Sequence, residues 1–278
     1  MAKKSPLSII TYSAIYLVLI VLVLVVIYPL FWTLMSSVKP ESDIYGSPAG
    51  LPQRLTAENY VTAWKRADME RYFLNSVLVS GLGVVGTVII SALAGYAFSR
   101  FRFRGSNVIF LFFIMSLALP APAIMVSEYL LFVNLHLLNT YYGIILFYMS
   151  LCAFAILMFR NAFQPLPQEI VDAAIIDGCK EFQLFWLLLP LVKPTTATIV
   201  IFTYIGLWGD FLWPFLLLQK VGQETVMVGL YTLFTSQYSM GWGFLTAGLS
   251  LGLIPAIVVY FIFQGYFVKG LTLGAVKG

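Results

Sequence analysis

Charge is scarce in this chain: 12 acidic and 16 basic residues among 278, or 10%. Soluble domains carry about a quarter, so an ordinary water-facing surface is excluded. Histidine is scarcer still, with His136 alone. One imidazole without neighbouring ligands argues against both a metal site and acid–base catalysis. The two cysteines, Cys152 and Cys179, fall one in an apolar stretch and one in a polar strip. That placement supports neither a disulfide framework nor a metal site. No G-x-x-x-x-G-K-S/T motif occurs, so ATP binding by this chain alone is not expected. There is no nucleophile–base pairing and no surface for nucleic acid.

Long apolar runs fill the space that charge leaves. Hydrophobic residues make up 60% of the chain and the mean hydropathy is +0.92. A spanning helix needs about 20 predominantly apolar residues. Residues 5–38, 72–99, 105–127 and 129–159 contain no Asp, Glu, Lys or Arg, and 194–219 contains only Asp210. Residues 225–268 hold one span and a surface segment. The first run is too long for a cleaved secretory signal, whose apolar core is about 7–15 residues. Six spans are expected, at about 9–35, 72–98, 107–130, 141–163, 195–218 and 243–267. The fold class is all-α: a polytopic membrane bundle of six transmembrane helices with a cytoplasmic loop, one domain over residues 1–278. Lipid cannot satisfy a free backbone, and the runs are too long and uniform for barrel strands.

Positive charge on short loops sets orientation. An inside N-terminus places Lys3, Lys4, Arg100, Arg102, Arg104, Arg160, Lys180, Lys193, Lys269 and Lys277 on the cytoplasmic side. The outer segment 39–71 balances its five basic residues with five acidic ones. The chain is therefore expected to be a multi-pass protein of the cytoplasmic (inner) membrane with both termini inside. Turn signals at 47–53 and a short helix near 57–67 are expected in the outer segment.

One cytoplasmic strip departs from the apolar rule. "QEIVDAAIIDGCKEF", residues 168–182, gathers Glu169, Asp172, Asp177, Lys180 and Glu181. Pro165 and Pro167 end the preceding span. Pro167 suits a new first turn, where Glu169 and Asp172 meet the positive end of the helix dipole. Gly178 suits a left-handed cap. The expectation is a helix over 167–177 and a second over 180–189, stopped by Pro190 and Pro194. Ile170, Ala173, Ala174 and Asp177 lie at i, i+3, i+4 and i+7, a shallow ridge. A helix this short needs a partner surface; a loop solvated by cytoplasm is the alternative.

"VDAAIIDG" (171–178) followed by "LLLPLVKP" (187–194) resembles the EAA loop of membrane subunits of binding-protein-dependent ABC importers, here spanning about 164–194. "SSVKP", "ENYVTAW", "YFLNSVLVS", "AGYAFSRFRFRG", "LNTYYGIIL" and "QGYFVKGLTLGAVKG" extend the likeness in order along nearly the whole chain, toward the carbohydrate branch and its smaller, six-span maltose-type permease subunit. The resemblance implies a coupling helix seated on a cytoplasmic ATPase, with Asp172, Ala173, Ala174 and Gly178 in the docking element and Glu169 and Asp177 taking part. It implies a homologous second permease, two ABC ATPases that bind ATP and Mg, an extracytoplasmic solute-binding protein, and a sugar or sugar derivative as cargo. The chain itself is then a transporter subunit rather than an enzyme and holds no cofactor. Two departures stand out: Asp172 occupies a position where the family usually has Glu, and the Gly178–Pro190 interval is one residue short. In the maltose relative the C-terminal tail reaches the ATPase interface; the matching residues are 270–278, expected as an extended chain.

Three further features carry alternatives. "GLGVVG" (81–86) matches a dinucleotide pattern but lies inside a span, where small residues pack helices closely. Asp210, in "GLWGDFLWP", either marks a substrate pathway, with Trp208 and Trp213 stacking on a sugar, or sits near the outer interface in an aromatic belt. The maltose relative leaves most substrate contacts to the partner subunit, which favours the second. Glu128 has the same two readings. An ion-coupled secondary transporter is the rival function; it needs buried ion-binding groups, and only Asp210 and Glu128 offer them.

Overall fold

The computed structural model describes residues 6–66, 68–235 and 241–275. Among these residues every regular element is helical. The chain divides into two compact units: one runs to Met69 and adds Leu230–Leu253, the other comprises Glu70–Gly229 and the chain from Ile254.

The first unit begins with α1 (Pro6–Ser37), whose apolar window is wholly unburied within the chain. Such a helix is stable in lipid because its backbone bonds are all internal. Beyond it come α2 (Glu41–Gly46) and α3 (Glu58–Arg66), the latter near the expected short helix. The Lys39 side chain is buried, and its ammonium donates to the carbonyl oxygens of Ser47, Pro48 and Gly50. Asn59 Nδ2 donates to the carbonyls of Ser37 (2.9 Å) and Lys39 (2.8 Å), fixing α3 to the end of α1. Both Glu41 carboxylate oxygens accept backbone N–H groups, from Trp242 (2.8 Å) and Gly243 (3.0 Å). They thus cap the positive end of α14 (Trp242–Ala275).

In the second unit α4 (Met69–Arg100) carries a seam of small residues. Ser76, Ser80, Thr87 and Ser91 are buried, and they alternate with Gly83 and Gly95 at helical spacing. A Cβ at Gly83 would stand 2.9 Å from a Leu207 methyl and 3.1 Å from Tyr148 Cβ; one at Gly95 would strike Phe159 and the Arg160 backbone. Within the glycine pattern at 81–86, Gly83 and Gly86 therefore serve close helix approach, whereas Gly81 faces open space.

Two expected spans are not straight. The third is split into α5 (Ser106–Ser116) and α6 (Ala121–Asn134), which meet at 105°. Pro120 and Pro122 lie at the start of α6, where prolines fit a new helix but cannot continue an old one. The fourth is split into α7 (Tyr141–Ser150) and α8 (Ala153–Phe163), bent by 47°. Among the described residues four helices can cross a membrane on length and composition, and six spans result if each bent pair counts as one.

The second short helix closes at Leu188, just ahead of Pro190 as expected, but the two prolines do not separate it from the fifth span. From α10 (Glu181–Leu188) the chain passes through a 3-10 turn, Leu189–Val192, into α11 (Lys193–Trp208). Each proline sits in the first turn of its element, where the missing N–H is not needed. The fifth span instead breaks at its far end, at Gly209, before α12 (Leu212–Leu217). α13 (Val226–Thr235) and α14 complete the described chain. α14 stays helical to Ala275, where an extended tail was expected; residues 276–278 lie outside the described residues.

Candidate coupling segment and membrane cleft

The polar strip folds into α9 (Gln168–Ile176), with Pro167 at its N-cap and Asp177 at its C-cap. Gly178 has φ +82°. The Cys179 N–H donates to the Ala174 carbonyl (2.9 Å) and the Gly178 N–H to that of Ile175 (3.0 Å). These two bonds define a Schellman stop, which needs a residue tolerant of the left-handed region at Gly178.

The structure turns the expected ridge. Val171 and Ala174 are buried, packed in a core that includes Tyr96, Phe159, Phe163, Leu184, Phe185 and Leu188. Ala174 thus faces the chain's own interior, and Ile170 and Asp177 flank the outward face. That face is Glu169, Asp172, Ala173 and Ile176, again at i, i+3, i+4 and i+7 but one residue, about 100°, from the expected set. Ile176 is 85% exposed. Hydrophobic pattern alone did not separate the faces, because "AAII" offers small and apolar residues in every direction.

α9 is tied to the end of α4. An Arg100 guanidinium nitrogen donates to Gln168 Oε1 (3.2 Å), and Gln168 Nε2 donates to Asp172 Oδ1 (3.0 Å). The Tyr96 hydroxyl donates to Glu181 Oε2 (3.1 Å), while its ring meets Phe101, Phe163 and Phe185 edge-on. The Lys180 N–H donates to Gln183 Oε1 (2.8 Å), closing the start of α10. Tyr96 was not singled out from the sequence and Arg100 only as an orientation charge; their hydrogen-bond partners here lie more than sixty residues away.

Asp210 occupies the break between α11 and α12. Its Oδ1 accepts the N–H groups of Leu212 (3.0 Å) and Trp213 (3.5 Å), and its Oδ2 accepts the Tyr148 hydroxyl (2.9 Å). Tyr148 is itself two residues from the end of α7, and the buried Thr87 hydroxyl donates to its carbonyl (3.2 Å). Two helix breaks are therefore joined by one side-chain hydrogen bond. Beside them lies an open cleft of about 390 Å³ lined by Tyr148 and Phe154, and by Phe202, Thr203, Asp210 and Trp213. Trp213 is backed by Phe147, with ring centroids 4.1 Å apart. Trp208 does not join this group: it is 3% exposed and packs on Phe73 and Tyr204.

The other candidates stay apart. Glu128 is half-buried on α6 and lines none of the cleft. His136 is in the turn after α6 with φ +55°. Cys152 is buried at the start of α8 and Cys179 follows the α9 stop; both are free thiols. No group of metal-ligating side chains occurs among the described residues.

Comparison with known proteins places this architecture. The family described as binding-protein-dependent transport system inner membrane component matches residues 86–273. A probable ABC transporter permease, YurM of Bacillus subtilis, is 34% identical over 96% of this chain and 89% of its own. The arabinooligosaccharide transport permease AraQ of the same organism is 31% identical over the full length of both chains. The lactose transport permease LacG of Rhizobium radiobacter is 31% identical over 90% of this chain and 91% of its own. Among solved structures, a bacterial ABC transporter that imports the acidic polysaccharide alginate superposes with a TM-score of 0.88 at 23% identity, covering 96% of this chain and 100% of that one. At that identity the likeness speaks for the fold.

Proposed function

The chain belongs to the binding-protein-dependent transport system inner membrane components, and from that membership we propose that it is the permease subunit of a sugar ABC importer driven through α9. It sits in the membrane with both termini in the cytoplasm and pairs with a homologous permease. Two ABC ATPases carry the ATP and Mg chemistry, and a solute-binding protein delivers cargo to the outer segments. ATP binding draws the coupling helices of the two permeases together and opens the cavity outward; hydrolysis resets it. The ATPases drive this by favouring one of two states. Asp210 and Trp213 line the pathway within this subunit, whereas Trp208 is a packing residue.

One observation carries the coupling role: α9 buries Val171 and Ala174 in its own core while offering Glu169, Asp172, Ala173 and Ile176 outward. A short helix held rigidly on one side and bare on the other transmits a push rather than absorbing it. Glu169, Asp172 and Asp177 supply carboxylates for basic groups on the ATPase, and Gly178 sets where the helix stops. The test is co-purification of the assembled permease pair with its ATPases. Ala173→Trp is expected to abolish the association, since a bulky ring holds the partner backbone away from the ridge. Retained association with Ala173→Trp, or solute accumulation in ATPase-free vesicles under a proton or sodium gradient alone, would overturn this mechanism.

A further inference from the structure

The cleft beside Asp210 carries more chemistry than a pathway wall requires. A carboxylate offers about four acceptor positions. Asp210 uses three of them, two on Leu212 and Trp213 N–H groups and one on the Tyr148 hydroxyl. One position on Oδ2 is left. Five residues earlier than Trp208, on the same wall, the Thr203 hydroxyl takes no hydrogen bond among the described residues and can donate or accept. Between and around these two polar points stand Phe154, Phe202 and Trp213, of which Phe154 and Phe202 are about half exposed.

A spare acceptor, a spare hydroxyl and aromatic faces complement a saccharide, whose ring presents hydroxyl edges and C–H faces. The charge pattern narrows the class. No lysine or arginine lines the cleft, and its single carboxyl group is that of Asp210. A uronate or sugar phosphate would set a second negative charge beside Asp210, where surrounding protein and lipid screen poorly.

We infer that the Tyr148–Asp210–Thr203–Trp213 cleft is a subsite for neutral saccharides that rejects anionic ones, an inference that rests on the sugar-permease reading above. Asp210 accepts a sugar hydroxyl, Thr203 bonds a second, and Trp213 underlies the ring. Tyr148 is a positioning residue: its hydroxyl fixes Oδ2 so that the remaining lone pair points into the cleft, and Thr87 holds the Tyr148 backbone in turn.

The experiment uses the complete importer, both permeases with the ATPases, in lipid nanodiscs without the binding protein, whose own site would otherwise dominate. Saturation-transfer NMR titrates two probes, maltotriose and trigalacturonate. Wild type is expected to bind maltotriose, with trigalacturonate on the order of a hundredfold weaker or more. Thr203→Val is expected to weaken maltotriose about two- to tenfold through one lost hydrogen bond. Trp213→Ala should weaken it about tenfold. Tyr148→Phe should weaken maltotriose as well, and Asp210→Asn, which keeps the backbone cap, should admit trigalacturonate. Unfolding temperatures of each complex separate these effects from misfolding, and Thr203→Val keeps the question open to refutation if Trp213→Ala fails to assemble. Unchanged maltotriose binding in both Thr203→Val and Asp210→Asn, or equal binding of the two probes by wild type, would overturn the subsite. So would the absence of any saccharide signal from a complex that retains its ATPases, and the permease reading would then survive. If wild type fails to assemble with ATPases, the permease reading falls and the subsite falls with it.

Discussion

Ile176 separates folding from docking more cleanly than any other residue of the coupling segment. At 85% exposed it contributes little to the chain's own core, so Ile176→Ala should change stability by no more than about 0.5 kcal/mol. Seated in a partner groove, the same side chain would be buried. Burying an isoleucine is worth about 1.5–3 kcal/mol. Losing most of that on truncation weakens ATPase association by about ten- to a hundredfold. Phe163→Ala is the mirror experiment. Phe163 is fully buried beneath α9, against Tyr96 and Phe185, and its truncation should cost about 3–5 kcal/mol of stability while leaving the outward ridge chemically intact. The assays are thermal unfolding of the purified permease pair and a fluorescence titration of that pair in nanodiscs with labelled ATPase. An Ile176→Ala variant that unfolds normally and binds the ATPase within about threefold of wild type, less than half a tenfold step in free energy, would refute the assignment of the outward face.

Other consequences concern the segments that frame the membrane helices. Glu41→Ala removes both caps from the start of α14 and should destabilise the chain by about 0.5–2 kcal/mol, read as a lower unfolding temperature that Glu41→Asp partly restores. Asn75→Ala deletes two hydrogen bonds to the Gly222 and Glu224 carbonyls and one from the Tyr141 hydroxyl. At about 1 kcal/mol each, with buried partners left unsatisfied, the cost is roughly 2–4 kcal/mol, and limited proteolysis should cut near residues 218–225 before it cuts elsewhere.

The legible part of the fold was the part governed by composition. Runs of 20 or more apolar residues fixed where helices lie, and proline, acid and glycine punctuation fixed α9 to within a residue. What escaped depended on contacts distant in sequence. Apolar content does not distinguish a straight span from a bent one, so the breaks after Ser116, Ser150 and Trp208 carried no warning beyond Pro120 and Gly209. Pro190 marked the end of α10, but the chain turns directly into α11, because a first turn tolerates the Pro194 that a helix interior would reject. Asp210 was visible as the one acid in an apolar run, but its partner Tyr148 was one of sixteen tyrosines. Trp208 and Trp213 looked equivalent by proximity. The break between them sends one into the core and leaves the other on the cleft.

The two candidate sites are joined by α4. Near its C-terminal end Tyr96 and Arg100 hold α10 and α9; some 13 residues earlier Gly83 and Thr87 meet Tyr148. At 1.5 Å per residue those contacts stand about 20 Å apart along one helix. Between them Ala92 belongs to the core shared with Ala155 and Phe159 of α8, and a Cβ on Gly95 would meet Phe159 and the Arg160 backbone. Under the coupling mechanism proposed above, so tightly packed a seam predicts that displacement of α9 reaches Tyr148 as a shift of α4 and not as local bending. Gly95→Ala wedges this seam without touching either the ATPase-facing ridge or the cleft, at an overpacking cost of about 1–3 kcal/mol. The assembled complex should then still bind its ATPases and hydrolyse ATP, while sugar taken up per ATP in reconstituted vesicles falls. Gly81→Ala, where a Cβ meets nothing within 4 Å, should leave that ratio unchanged. A Gly95→Ala importer that folds, hydrolyses and transports with the wild-type ratio would show that α4 does not carry the motion.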